Sequence, residues 1–331
     1  DCVADYHEFV GTFKRMMGNL SREIDHNKLG MIVEPGSCWV TTTEDNMGDD
    51  IGTTEHEIGY VAFYNKTIQE KGMTVPMVMC FHGGGDSAMC MNSVSGWSRV
   101  AADNDFILVC VEHHMNSTAS EMIEMIEQLK MKYPVDSQKL YATGFSMGGC
   151  KSWDLFQEYP SYFAGVAPMD ATFEVGCNVF ANKVRTINET TIVPVFYVGG
   201  EQTPLPELPF QAEKCVERMR YTLKVNQAKN PYHITYEKQS EWENAIWGVN
   251  GDYTISIKNP ERTGSVLTLH LFESENGCCY CVFGSVSDQQ HEVRYHSCNI
   301  AWKFLNQFHR LPDGQLQGGS MEAIKKILDE S

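Results

Sequence analysis

Lys139-Leu140-Tyr141-Ala142-Thr143-Gly144-Phe145-Ser146-Met147-Gly148-Gly149 reads as a short strand that enters a tight turn and opens a helix, with one serine at the apex. The spacing is Gly-x-Ser-x-Gly, in which small residues flank the serine so that the backbone turns sharply and presents the hydroxyl. Five residues of this kind mean little alone, because Gly and Ser are common. Context decides here: an apolar run precedes the turn, and residues 150–159 suit a helix that stops before Pro160. Ser146 is therefore expected to be a nucleophile rather than part of a structural Gly-rich turn.

Working outward, residues 76–81 and 106–111 are continuous apolar runs, the mark of strands buried on both faces. Further strands are expected over 163–168, 192–198, 254–257 and 266–272. Helices are expected over 93–104, 120–133, 210–226 and 297–308. In the second of these, Met122, Ile123, Ile126 and Leu129 recur at helical spacing behind Ser120 as N-cap. Strands alternating with helices imply an α/β chain with a mainly parallel central sheet and helices on both faces. Residues 38–43 and 57–65 alternate as a paired antiparallel unit, separated by a polar loop over 44–55. One domain spanning 1–331 is expected, with 1–56 as N-terminal extension and edge strand. Residues 238–264 are an expected insertion over the active site. The tail 314–331 is read as a flexible joint, 314–319, before a short helix.

The chain has 331 residues, 42% hydrophobic and 21% charged, an ordinary balance for a soluble globular protein. No run approaches the roughly 20 apolar residues that span a bilayer, so no membrane partner is expected. A start at Asp1 without a leader suggests a trimmed or mature form, and the compartment, secreted or cytoplasmic, stays open. The net charge of −17 argues against nucleic acid as a partner and favours solubility. Of twelve cysteines, Cys80 and Cys110 sit in apolar runs as reduced, buried thiols. Cys278-Cys279-x-Cys281 lacks a second pair at zinc spacing, so packing or one disulfide is expected rather than a metal. Asn19, Asn65, Asn116 and Asn188 match the N-glycosylation pattern, as chance also allows.

A serine hydroxyl needs a general base within hydrogen-bond reach and a third group that orients that base. His82-Gly83-Gly84-Gly85-Asp86 follows the 76–81 strand directly, at the end where parallel sheets collect reactive groups. Backbone N–H groups of Gly84 or Gly85, together with that of Met147, fit an oxyanion hole. The alternative is a Gly-rich turn capped by Asp86.

Taken together, Phe81-His82-Gly83-Gly84-Gly85, Gly96-Trp97 and the Gly144–Gly149 elbow resemble the α/β-hydrolase fold. Within it, Tyr141-Ala-Thr-Gly-Phe-Ser-Met-Gly-Gly and Glu158-Tyr-Pro-x-Tyr-Phe-Ala-Gly-Val-Ala-Pro resemble the polyhydroxybutyrate depolymerase and feruloyl esterase branch of carbohydrate esterases. The resemblance covers roughly residues 57–310 and implies the order serine, acid, histidine. His291 stands about ten residues before Ala301-Trp302-Lys303-Phe304-Leu305, as the family's base does, and is preferred to His296 and His309. The acid departs from the pattern: in Gly199-Gly200-Glu201-Gln202-Thr203-Pro204, Thr203 stands where the family carries Asp. Glu201 is the nearest carboxylate and Glu207 the runner-up, with an acid supplied elsewhere, or absent, as the alternative. His82 is read as structural or lining the site. Trp242, Trp247 and Tyr253, with Tyr280, form either an aromatic wall for substrate or a latch holding the insertion.

The resemblance implies a carboxylic-ester hydrolase working through an acyl-enzyme, with no cofactor and no metal. Its substrates would be feruloyl or acetyl esters on plant polysaccharide, or short polyesters. A serine peptidase of the same fold and a non-catalytic ester- or carbohydrate-binding relative are the alternatives.

Overall fold

The computed structural model of the chain describes residues 24–45, 48–172, 175–176, 187–202, 212–230 and 251–331. β1 (Met31–Glu44) and β2 (Asp50–Asn65) form a long antiparallel hairpin. They are followed by β3 (Val75–Phe81), β4 (Ile107–Val111), β5 (Val135–Phe145), β6 (Gly165–Met169) and β7 (Val195–Gly200). Then come β8 (Tyr253–Lys258), β9 (Val266–Glu273) and β10 (Cys279–Val286). The ten strands make one sheet in the order β1-β2-β4-β3-β5-β6-β7-β10-β9-β8. The run from β4 to β10 is parallel throughout. Antiparallel pairs close each edge.

The helices are α1 (Lys66–Glu70), α2 (Ala88–Ser95), α3 (Trp97–Asn104), α4 (Ala119–Lys132) and α5 (Met147–Glu158). They continue as α6 (Ala212–Val225), α7 (Tyr295–Leu305) and α8 (Met321–Asp329). Because successive strand side chains point to opposite faces, β3 feeds two cores at once. Val78 and Cys80 pack with Trp97, Val100, Trp302 and Phe304 on one side. Met77, Met79 and Phe81 pack with Met122, Ile126, Trp153 and Phe156 on the other. Burial on both faces is why these strands are apolar without alternation. The chain has the α/β-hydrolase fold: a mainly parallel sheet between helical layers, with a serine turn leading from β5 into α5.

Several expectations are corrected. The 44–55 loop is mostly the far end of the hairpin, with Thr41 paired to Glu55 and Glu44 to Asp50. Its polar residues reflect exposure, not absence of pairing. The 93–104 helix is two helices, broken where Gly96 takes a left-handed φ of 68°. α4 is capped by Thr118, whose hydroxyl accepts from the Glu121 N–H, rather than by Ser120. β10 was hidden by its cysteines, yet all eight of its residues are buried. Cys278, Cys279 and Cys281 are free thiols, so the cluster forms no disulfide.

Within the expected insertion, residues 253–258 form the edge strand β8, and residues 231–250 lie outside the described residues. The expected joint at 314–319 contains β12 (Leu316–Gly318), paired with β11 (Phe308–Arg310). Arg310 ties that hairpin to the sheet by donating to the carbonyls of Phe163 and Ile192. Asn65 and Asn188 are buried, and their side-chain amides are held by Ala102, Asp105 and Thr191, which leaves no room for a glycan. Asn19 and the rest of the N-terminal extension before residue 24 lie outside the described residues. Among the described residues, no helix is long and apolar enough to cross a membrane.

Candidate active site

The chain leaves β5 through Ser146, which adopts φ 55° and ψ −116°, and enters α5 at Met147. A non-glycine residue held at such a φ is strained, and the neighbours must permit it. Gly144 and Gly148 do so by close approach. A Cβ on Gly144 would lie 2.2 Å from the Gly148 carbonyl oxygen, and one on Gly148 would lie 2.0 Å from that of Phe81. Only hydrogen fits at either place. The turn is further pinned by the Ser146 N–H donating to the Met169 carbonyl on β6.

His291, on the segment between β10 and α7, meets the serine as expected, with Nε2 2.9 Å from Ser146 Oγ. Its ring lies against Phe145, centroids 4.8 Å apart, which sets the plane of the imidazole. The segment is braced by charge. Arg294 donates to Asp288 and to Glu292, and Arg262 also reaches Asp288. Burial would raise the Asp288 carboxyl, but hydrogen bonds from Ser265, Arg294 and Arg262 hold it well below the usual carboxylate range.

Among the described residues, the carboxylate that faces His291 is that of Asp170, and Glu201 is engaged elsewhere. Asp170 Oδ2 lies 3.2 Å from His291 Nδ1, at ion-pair distance although not aligned as a hydrogen bond. Asp170 follows β6 directly, with φ 47°, and its N–H donates to the Val198 carbonyl on β7. Glu201 sits one strand further along, where its Oε1 accepts from Ser285 Oγ at 2.8 Å. A carboxylate already held there by β10 does not turn toward the imidazole. Thr203 and Glu207 lie outside the described residues. The sequence signal for Asp170 was a lone carboxylate at the end of a buried strand, one strand earlier than the position that the resemblance implies. Ser146, His291 and Asp170 are 9%, 3% and 6% exposed, so a charge developing on the imidazole would be poorly screened and would feel the carboxylate strongly.

His82-Gly83-Gly84-Gly85 follows β3 and lies over the elbow. A Cβ on Gly84 would stand 3.4 Å from Met147 Cγ, so this loop packs against the residue that follows the serine. Gly85 stands further along the turn with φ 69°. His82 is only 4% exposed and its Nδ1 is engaged by the Gly83 carbonyl at 2.7 Å, so it supports the loop rather than contacting substrate.

Of the other histidines weighed as base, His309 bonds Gln317 in the β11–β12 hairpin and His296 lies in α7. Tyr280 is corrected as a substrate contact. It stands at the start of β10, the end of the strand opposite the site, with its ring in the core near Phe308. Burial pushes its hydroxyl pKa up to about 12. Tyr253 lies on edge strand β8 with the Lys325 ammonium 3.7 Å over its ring, a latch to α8. Trp242 and Trp247 lie outside the described residues.

No protein-family model matches the chain. Over 135 residues it is 25% identical to a bifunctional acetylxylan esterase/xylanase from Neocallimastix patriciarum, a match covering 38% of this chain and 19% of that protein. Over 158 residues it is 20% identical to poly(3-hydroxyalkanoate) depolymerase C from Paucimonas lemoignei, covering 42% of this chain and 36% of the relative. The chain thus spans well under half the length of either relative. Among solved structures, an acetyl xylan esterase from Aspergillus awamori aligns with a TM-score of 0.49 at 12% identity, over 80% of this chain and 98% of that one. A feruloyl esterase module from Clostridium thermocellum aligns with a TM-score of 0.40 at 15% identity, over 60% and 77%. The strand order and the serine turn are those of the α/β-hydrolase fold, and over part of its length the chain is similar in sequence to an acetylxylan esterase and a polyhydroxyalkanoate depolymerase.

Proposed function

We propose that the chain is a serine carboxylic-ester hydrolase that works through an acyl-enzyme. The observation that carries this reading is the contact of Ser146 Oγ with His291 Nε2, backed by Asp170 at Nδ1. With its proton on Nδ1, His291 accepts the serine proton at Nε2 as Oγ attacks the ester carbonyl. It then returns that proton to the leaving alcohol. Asp170 fixes the tautomer and stabilises the imidazolium. The N–H groups of Gly84 and Met147 stabilise the oxyanion, and water cleaves the acyl-serine by the same route in reverse. No step asks for a metal or a cofactor.

The names of the sequence relatives favour acetyl esters on xylan, or hydroxyalkanoate polyesters, as substrates. The reach of His291 to both Ser146 and Asp170, the set of groups that acyl transfer needs, favours catalysis over a non-catalytic binding relative. Hydrolysis of nitrophenyl acetate by wild type, falling to background in Ser146→Ala, is the expected result. A Ser146→Ala variant that keeps the wild-type rate would overturn the reading.

A further inference from the structure

The mechanism leaves one group of buried side chains unused. His113 and the 3-10 turn His114–Asn116 follow β4, and His114 is fully buried beneath the Gly-rich loop. Its Nε2 lies 2.7 Å from the carbonyl oxygen of His82, and its ring stacks edge-on against the His82 ring at 4.6 Å. A carbonyl only accepts, so His114 carries its proton on Nε2 and donates it there. His82 repeats the motif one peptide further on, donating from Nδ1 to the Gly83 carbonyl. The Asp86 N–H also donates to that oxygen.

In a trans peptide the C=O and the following N–H point in opposite directions. Holding the His82 and Gly83 carbonyls toward the two imidazoles therefore turns the N–H groups of Gly83 and Gly84 away from them. Gly84 is the residue that stands beside Met147. The same 3-10 turn is tied to the other half of the site, because Lys151 on α5 donates from Nζ to the Ser117 carbonyl. One short segment thus touches both the helix that supplies the Met147 N–H and the loop that supplies the Gly84 N–H. Burial, with His82 and Lys151 nearby, holds the His114 imidazole well below its ordinary pKa. It stays neutral, and the single donor is kept.

We infer that His114 is a positioning residue of the oxyanion hole: through the His82 carbonyl it fixes the His82–Gly83 peptide and the His82 ring beside it, and that ring in turn holds the Gly83 carbonyl whose peptide presents the Gly84 N–H. The inference rests on the acyl-transfer reading above. It is tested with His114→Phe, which keeps a buried ring but removes the donor, on nitrophenyl acetate. We expect kcat to fall roughly 10- to 100-fold while KM changes by less than about twofold. Inhibition by phenylboronic acid, whose tetrahedral adduct places an oxygen in the same hole, should weaken in proportion. His114→Gln, whose amide reaches the same carbonyl, should restore most of both. A role in packing alone would lower the melting temperature but leave kcat per folded molecule and boronate inhibition at wild-type values, and that result overturns the inference. Should His114→Phe not fold, Lys151→Met is read instead. It frees the segment while keeping the imidazole, and the same paired loss is expected, with wild-type values again overturning the inference. Failure of the serine-hydrolase reading itself looks different: wild type would then be inactive, or Ser146→Ala active.

Discussion

Ser146 shows how a single residue is held against its own preference. Its φ of 55° costs on the order of 1–3 kcal/mol, and the fold around it supplies the compensation. Ser146→Gly removes that strain and Ser146→Ala does not. Thermal unfolding should therefore place the glycine variant above the alanine variant by roughly 1 kcal/mol, with both inactive. At Gly148 the sign reverses. Gly148→Ala would drive a methyl into the Phe81 carbonyl, pushing α5 and its Met147 N–H out of place. Its kcat on nitrophenyl acetate should fall at least about 100-fold, because a displacement of about 1 Å is enough for that. The nucleophile was legible because its glycines are demanded by local geometry. Asp170 was not, since nothing within a few residues of a carboxylate says which imidazole it faces. That contact joins residues 170 and 291 through the tertiary fold.

Elements buried on both faces, such as β3 and β4, were legible because continuous apolar runs admit few other placements. Those that sequence misjudged are of two kinds. The far end of the β1–β2 hairpin is exposed and polar, so its composition resembles a loop. β10 is an interior strand, but the cysteines at and just before its start drew the reading toward packing or a disulfide rather than strand pairing. The segment that carries His291 leaves β10 and is held by Asp288, Arg294, Glu292 and Arg262. The Asp288 carboxyl titrates lower in the folded chain than its unfolded value of about 4. The brace is therefore complete above that pH and is lost as pH falls through and below it. Melting temperature should drop on acidification below about pH 4, and Asp288→Asn should flatten that dependence while lowering the midpoint at neutral pH.

Across the whole molecule, the C-terminal residues belong to the core. Ile324 and Leu328 on α8 are fully buried in the cluster that contains Trp302 and Phe304. Leu328→Ala should destabilise the chain by about 2–5 kcal/mol, read by denaturant unfolding. It should leave KM unchanged, because the start of α8 is tied to Gly277 and Cys278, at the end of β10 opposite the site. A flexible tail would instead show no loss. The sequence pattern of α8 was plain, but the tie that Arg310 makes to Phe163 and Ile192 depends on a fold that brings residues more than a hundred positions apart together.

On the proposed mechanism Asp170, at the end of β6, backs His291, while Glu201 is held elsewhere by Ser285. The most direct test is kcat on nitrophenyl acetate for Asp170→Asn and Glu201→Gln measured side by side. The structure predicts a fall of up to about 10⁴-fold for Asp170→Asn, through the wrong imidazole tautomer, and a near wild-type rate for Glu201→Gln. A large loss in Glu201→Gln with Asp170→Asn unaffected would contradict it.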